Sequence, residues 1–273
     1  MRFLISSEND EASMNIHARL LEQGSWQEEE SFEGRPCYSL KNFKLVTIAQ
    51  EHIFRDNLDD DLNSTFGEKP EAITYLSRHR SESGSKSLTV HPIGNYRQAD
   101  FGGRAKTLVP SAPSIMTGTL RELRNVATDL DYSISYEATH HGPFLKTPTF
   151  FIEIGSTMTE WSDLAAAKSI ATAILNAKIG KGPIGIGIGG GHYMPRITDV
   201  ALGRIANFGH MIPSYALSEW DESLFLNALS ETPGADFVYF HRKALEKPTL
   251  RKMEIWFKEH GIRVAREEDL QPL

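Results

Sequence analysis

Short runs in which apolar and polar residues alternate, and longer runs with apolar residues at every third or fourth position, divide this chain into strands and helices. Residues 2–6 read as a first strand. A helix follows over 10–23, with Ala12, Ile16 and Leu20 on one stripe and Gly24 as its stop. Residues 25–49 carry brief alternating runs around Gly34-Arg35-Pro36 and Lys41-Asn42, which predicts strands joined by tight turns. The acidic segment 55–69 reads as a loop or a short exposed helix. From residue 70 onward the two periods take turns, with strands predicted at 71–77, 87–91, 132–137, 149–154, 182–188, 205–212, 236–240 and from Ile262. Helices are predicted over 113–130, 162–179, 196–204, 218–229 and 249–260, and the stretch 94–113 has no period at all. This order predicts an α/β protein: three layers, α/β/α, around a central mixed, largely parallel sheet. One domain over 1–273 is expected, with a strand-rich subregion at 25–50.

The predicted strand ends carry the candidate chemistry. His79, His91, Glu137 with His140 and His141, Glu153, His192 and His210 all fall at or just beyond a strand. A single histidine at a strand end is as a rule structural. Repeated at successive ends of a parallel sheet, such residues would meet along one edge, where ligands of α/β proteins bind. The densest stretch runs from Ser135 to Pro143. On a continuing strand His140 and His141 would point apart, but Gly142-Pro143 ends the strand and lets both rings converge.

Composition narrows the choices. At 273 residues, 40% hydrophobic and 24% charged, the chain can bury a large core and has the make-up of a globular protein. Its apolar runs are too short to span a bilayer, and its first residues lack a signal peptide's apolar core, so a cytoplasmic protein is expected. The single cysteine, Cys37, excludes a disulfide framework and a cysteine-rich zinc site and reads as an inert packed thiol. In a reducing compartment the Asn63-Ser64-Thr65 sequon is a chance match.

The net charge of −7 argues against a general nucleic-acid binder, but the charge is unevenly spread. Residues 56–61 are acidic. By contrast, 78–106 holds Arg78, Arg80, Lys86, Arg97, Arg104 and Lys106 against Glu82 and Asp100, and 241–252 is also basic. Two basic islands fit a local polyanion footprint, and solvated loop faces would explain them equally well.

Gly185, Gly187 and Gly190 match a dinucleotide fingerprint in spacing only. Pro195 blocks immediate helix continuation, and no acidic residue ends a second strand where a ribose would need it. Gly189, Gly190 and Gly191 better serve close backbone approach to a ligand, with N–H groups for a phosphate or an oxyanion. A histidine and carboxylate set without cysteine suits zinc in an open catalytic site. Glu137-x-x-His140-His141 has no helical ligand spacing, so a metal rests on convergence, and a metal-free site stays open. No G-x-S-x-G elbow occurs. Tyr136, Trp161 and Tyr193 are read as core packing before ring stacking.

Several blocks together resemble a known family. They are Ala12–Ile16, Leu76-Ser77-Arg78-His79-Arg80-Ser81, Leu88-Thr89-Val90-His91, Tyr136-Glu137-Ala138-Thr139-His140-His141-Gly142-Pro143, Phe151–Ser156, Gly189-Gly190-Gly191-His192-Tyr193 and Gly209-His210. The sequence resembles, through almost its whole length, the archaeal and plant type of D-aminoacyl-tRNA deacylase. The resemblance implies hydrolysis of the ester joining a D-amino acid to tRNA, clearing mischarged tRNA. It also implies a fold related to phosphorylases and peptidyl-tRNA hydrolases, and association with zinc, with two ions possible.

By motif the resemblance implies a site of His79, His91, Glu137, His140, His141, Glu153, Gly190, His192 and His210. From their chemistry Glu137, His140, His141, Glu153 and His192 are the expected catalytic residues, with His140, His141 and His192 as metal ligands. Arg78, His79, His91, Gly189, Gly190, Gly191, Tyr193 and His210 are expected to contact substrate. The expected partner is the acceptor end of aminoacyl-tRNA, with no membrane, no protein partner and a monomeric state. Two other classes remain: a zinc-dependent amidohydrolase or peptidase acting on small molecules, and a non-catalytic RNA-binding module.

Overall fold

A computed structural model describes residues 1–81, 84–218 and 220–273. Glu82 and Ser83, in the Ser/Gly-rich link, and Glu219, within the helix predicted over 218–229, lie outside the described residues. In chain order the first elements are β1 (Arg2–Ser7), α1 (Glu11–Leu21), β2 (Gln27–Phe32), β3 (Arg35–Leu40), β4 (Phe43–Ile48), α2 (Leu58–Phe66), β5 (Ala72–Arg80) and β6 (Ser87–His91). Next come β7 (Gly94–Asn95), β8 (Thr107–Leu108), α3 (Pro113–Val126), β9 (Ser133–Tyr136), β10 (Thr149–Ser156), α4 (Met158–Trp161) and α5 (Leu164–Asn176). The chain ends with β11 (Ile184–Ile188), α6 (Pro195–Gly203), β12 (Asn207–Ile212), α7 (Glu222–Ser230), β13 (Ala235–Phe240), α8 (Lys247–Glu259) and β14 (Arg263–Ala265).

Local chemistry sets several boundaries. Asp10 caps α1 by accepting from the Ser13 amide, and Asp163 caps α5 by accepting from Ala165 and Ala166. Pro113 starts α3 at a position where its missing N–H costs nothing. Helix α7 begins at Glu222, later than its apolar stripe predicted, because Asp221 supplies the cap and Ser214–Leu217 winds as a separate 3₁₀ turn. The aperiodic stretch 94–113 contains the small β7–β8 hairpin.

Eight strands form the main sheet in the order β2-β3-β4-β1-β5-β10-β6-β9. The central four, β4-β1-β5-β10, are parallel. The strands of the 25–50 region form its edge, with β3 antiparallel to β4 and β2 antiparallel to β3. On the other side β6 runs antiparallel to β10, and β9 runs parallel to β6. A second, wholly parallel sheet has the order β12-β11-β13-β14. One face of the main sheet (Leu4, Leu76, Ile152, Ile154) packs on Ile16, Leu120 and Ile170 of α1, α3 and α5. The opposite face (Phe3, Ile5, Ile73, Tyr75, Phe151) packs on Leu58 and Leu62 of α2.

That second face changes character along its length. Register places Phe151 beside Tyr75 and His91, Glu153 beside Ser77 and Thr89, and Gly155 beside His79 and Ser87. Residues in register share a face. The face that is aromatic under α2 therefore becomes a row of histidine, carboxylate and hydroxyl further on. Glu137 extends that row, because its amide continues the β9–β6 ladder to the Val90 carbonyl. The expected convergence is real, but it is a convergence across a sheet face. With β6 and β9 reversed, their carboxyl ends do not lie on the same edge as those of β5 and β10.

Candidate active site

Two buried carboxylates, Glu137 and Glu153, lie at the centre, 0% and 3% exposed. Histidines surround them. His192 Nε2 is 2.9 Å from Glu137 Oε2, and His140 Nε2 is 3.7 Å from the same oxygen. His79 Nδ1 bridges the pair, 3.2 Å from Glu137 Oε1 and 3.4 Å from Glu153 Oε2. His91 Nε2 is 3.6 Å from Glu153 Oε1. His141 closes the group, its ring 4.4 Å from that of His140 and 4.9 Å from that of His91.

Burial alone would push His79 down, but its bond to Glu153 and the two carboxylate charges outweigh burial and raise it to about 9. His91 is raised by the same balance. His140 and His141 go the other way: burial, and then the neighbouring imidazoles, push His140 well below its ordinary value and His141 to about 4. Burial would raise both glutamates, yet their imidazole partners hold them below the usual range, Glu153 most strongly. The centre thus holds ionised carboxylates next to both charged and neutral imidazoles.

Ring orientation decides whether a metal fits. Nδ1 of His91, His140 and His141 faces the carbonyls of Pro92, Ala138 and Gly142 at 3.1, 2.7 and 2.6 Å. Only an N–H can pair with a carbonyl, so in the neutral rings the lone pair sits on Nε2, the arrangement of metal-ligating histidines. Among the described residues three sets bring ligand atoms within 4.8 Å of one another: His91, His140 and His141; His79, Glu137 and His192; His91, Glu137 and Glu153. His91 Nε2 and both Glu137 oxygens are buried and meet only other imidazoles and carboxylates of the cluster, none in good hydrogen-bond geometry. Nitrogen-and-carboxylate sets of this kind, with no sulfur, fit a divalent cation such as zinc. The grouping differs from the expected ligand set, because His192 joins His79 and Glu137, while His91 joins His140 and His141.

The loops that deliver these rings are tightly held. His141 adopts φ 45°, in the left-handed region, which turns its ring back toward His140. Gly142, which follows, runs against backbone of Ile53, Gly102 and Gly103. Tyr193 Oη lies 3.1 Å from His79 Nε2, and Trp161 Nε1 donates to the His79 carbonyl. Tyr193 and Trp161 therefore orient His79, while Tyr136 is core packing, fully buried with its hydroxyl on Thr117.

Other expected residues are already engaged, although Arg78 lines a cavity with His141 and Glu153. The Gly189 and Gly190 amides already donate to Ile212 O and Ser214 Oγ, so neither is open to an oxyanion. Arg78 donates to the Asn9 carbonyl and to Glu51, and its guanidinium lies over the Trp161 ring. His210 is fully buried and both its ring nitrogens are engaged, by Thr139 Oγ1 at 3.1 Å and Val109 O at 3.0 Å. It holds Thr139, the residue before His140, and does not reach the cluster. Residues the sequence reading missed are Tyr96, Phe101 and Tyr215, which line a cavity beside His140 and His141. Their signal was two aromatic residues, Tyr96 and Phe101, in the aperiodic stretch 94–113.

Residues 66–265 match the family described as D-aminoacyl-tRNA deacylase, and this span contains every member of the cluster. The chain belongs to the D-aminoacyl-tRNA deacylase family. A D-aminoacyl-tRNA deacylase of Thermococcus kodakarensis is 36% identical over 98% of this chain and 100% of its own length. One of Methanosarcina acetivorans is 36% identical over 98% of this chain and 93% of its own. The relative of the same name from Methanococcoides burtonii is 35% identical over 98% of this chain, which spans 57% of that longer protein. A crystal structure titled as a conserved protein of unknown function has the same fold, with TM-score 0.90 and 29% identity over 99% of this chain and 96% of that one.

In this family member three buried histidines outside the cluster set an acid limit. Burial lowers His17 to about 4, His52 to about 3 and His210 to about 4. In neutral His210 the Nε2–H donates to the Val109 carbonyl, which leaves Nδ1 to accept from the Thr139 hydroxyl, so protonating Nδ1 would oppose that donor. The unfolded chain binds these protons below about pH 6.5 and the folded chain refuses them. Their stability contribution is thus full above about pH 6.5 and lost as pH falls toward 4, on the order of 3 kcal/mol for His210 alone. Urea midpoints at pH 7.5 and 4.5 should show that drop, and His210→Gln should reduce it. A midpoint independent of pH would refute this reading.

Proposed function

We propose that this chain hydrolyses the ester between a D-amino acid and the terminal ribose of tRNA, in the cytoplasm and as a monomer. The observation that carries the proposal is the pair of buried carboxylates ringed by His79, His91, His140, His141 and His192, in a chain of the deacylase family. Among the described residues no helix is long and apolar enough to cross a membrane.

Glu137 is the general base. It is ionised, it lies beside neutral His140, and it can take a proton from the attacking water. The water oxygen bonds to the ester carbonyl carbon, the bond from carbon to ribose oxygen breaks, and a proton returns to the ribose oxygen. His79 is charged at neutral pH and keeps Tyr193 in place, so the Tyr193 hydroxyl is positioned to donate to the developing oxyanion or the leaving oxygen. Glu153 holds His79 and His91 and is a positioning group. Zinc held by His91, His140 and His141 would polarise the carbonyl and acidify water. An aminoacyl ester is labile, so positioning supplies much of the acceleration.

The tRNA footprint falls on the two basic islands. A cavity of about 520 Å³ near the carboxyl end of β13 is lined by Arg196, His241, Arg242 and Lys243 together with Asp199 and Tyr239. Arg196 also opens α6, three residues after Tyr193 in the sequence. Three phosphate contacts there and along 78–106 would weaken binding roughly 40-fold between 50 and 200 mM salt. A flat salt dependence would remove tRNA phosphates from the proposal.

The direct test is release of amino acid from paired D- and L-tyrosyl-tRNA, before and after chelation with zinc added back. D-selective release that chelation abolishes and zinc restores supports both the activity and the metal. D-selective release indifferent to chelation keeps the activity and discards zinc. No release from either ester discards the activity.

A further inference from the structure

The cluster opens on one side into a cavity of about 210 Å³ whose floor includes Thr139, His140 and His141 and whose walls include Tyr96, Phe101, Tyr215 and Ala216. Two of these wall residues are large aromatics held in the open: Phe101 is 66% exposed and Tyr215 61%. A folded chain exposes aromatic rings at such a mouth for a reason when they flank reactive groups. Asn95, Gln98 and the oppositely charged Arg97 and Asp100 also line it, and Arg97 donates to Ser218 Oγ. The walls are otherwise largely carbon.

We infer that this cavity receives the side chain of the amino acid being released, and that Phe101 and Tyr215 are the residues that set which side chains are accepted. The inference rests on the ester hydrolysis proposed above and assigns a subsite to it. Position decides between the possible occupants. The reacting carbonyl must lie against His140 and His141. A side chain begins at the atom next but one to that carbonyl carbon, so a cavity sharing those two histidines is where it must go. The terminal adenine is separated from the carbonyl by the whole ribose and is tied to a phosphate, which an apolar cavity does not match. The basic cavity at Arg196, Arg242 and Lys243 does match it.

The two sides of the cavity come from distant parts of the chain. Phe101 belongs to the loop between β7 and β8, and Tyr215 to the 3₁₀ turn after β12. Both rings are largely exposed, so they border the mouth without closing it, while His140 and His141 are held by their carbonyl bonds. The subsite is accordingly tolerant, and it favours large apolar and aromatic side chains over alanine.

The test compares kcat/KM on D-tyrosyl- and D-alanyl-tRNA for the wild type, Tyr215→Ala, Phe101→Ala and Tyr215→Phe. Truncation should lower the D-tyrosyl value about 10–100-fold and the D-alanyl value less than about threefold, and Tyr215→Phe should restore the preference. An equal fall on both esters with unchanged Tm would mean that the cavity binds something common to every substrate, and would overturn the inference. No change on either ester would overturn it as well. If Tyr215→Ala loses its fold, the more exposed Phe101→Ala decides by the same ratio. Failure of the wild type on both esters would instead refute the hydrolysis itself, leaving the two failures distinguishable.

Discussion

Glu137→Gln should lower the rate of D-aminoacyl ester release by roughly 10²–10⁴-fold, the usual worth of a positioned general base, with the far-UV spectrum unchanged. The substitution keeps size and shape and removes only the charge. That charge is fully buried and is held by the imidazoles of His79, His140 and His192. A buried carboxylate ringed by ionisable groups is the environment in which reacting acids and bases are found. Single-turnover release from D-tyrosyl-tRNA is the measurement. A rate within threefold of wild type would move the general base elsewhere, with Glu153 next to be tested.

Gly142→Ala should destabilise the fold by about 2–4 kcal/mol and abolish release, although it adds only a methyl group. A Cβ built there would stand 2.2 Å from the Gly103 amide nitrogen, 2.4 Å from the Gly102 carbonyl carbon and 2.6 Å from the Ile53 carbonyl oxygen. All three are backbone atoms, from two separate segments, and none can swing aside as a side chain would. The strain would pass directly to His141, whose Nδ1 depends on the Gly142 carbonyl. Gly203→Ala is the control: nothing lies within 4 Å of its added carbon, and its stability should change by less than about 1 kcal/mol. Equal urea midpoints for the two variants would show that the crowding at Gly142 is relieved without cost.

Most of the residues that the structure gathers into the cluster were legible in the sequence because they are chemically unusual for where they fall. A carboxylate in Phe151-Ile152-Glu153-Ile154 interrupts a run that is otherwise core, and two adjacent histidines before Gly142-Pro143 sit where a strand must stop. His210 satisfied the same description, yet its ring lies away from the cluster. The difference lies in what surrounds it: Thr139 and Val109 occupy both of its nitrogens, and only distant segments could provide them. The Gly189–Gly191 turn likewise had the composition of an anion site, until Ile212 and Ser214 were found to occupy two of its amides.

Hydrophobic periodicity reports whether a residue is buried, and it did so well for α1, α3, α5 and the central strands. The sequence by itself determined that this chain alternates strand and helix, and which stripe of α1, α3 and α5 is core, but not that α2 packs on the sheet through Leu58 and Leu62. Tertiary structure alone decided that β6 and β9 join the sheet reversed, which carries His91 and Glu137 onto the same face as His79 and Glu153. It also decided the pairing of histidines into sets and the meeting of Phe101 with Tyr215 around a cavity. The physical reason is that burial is a property of one residue's polarity, whereas strand direction and register are fixed by hydrogen bonds and packing between segments far apart in the chain.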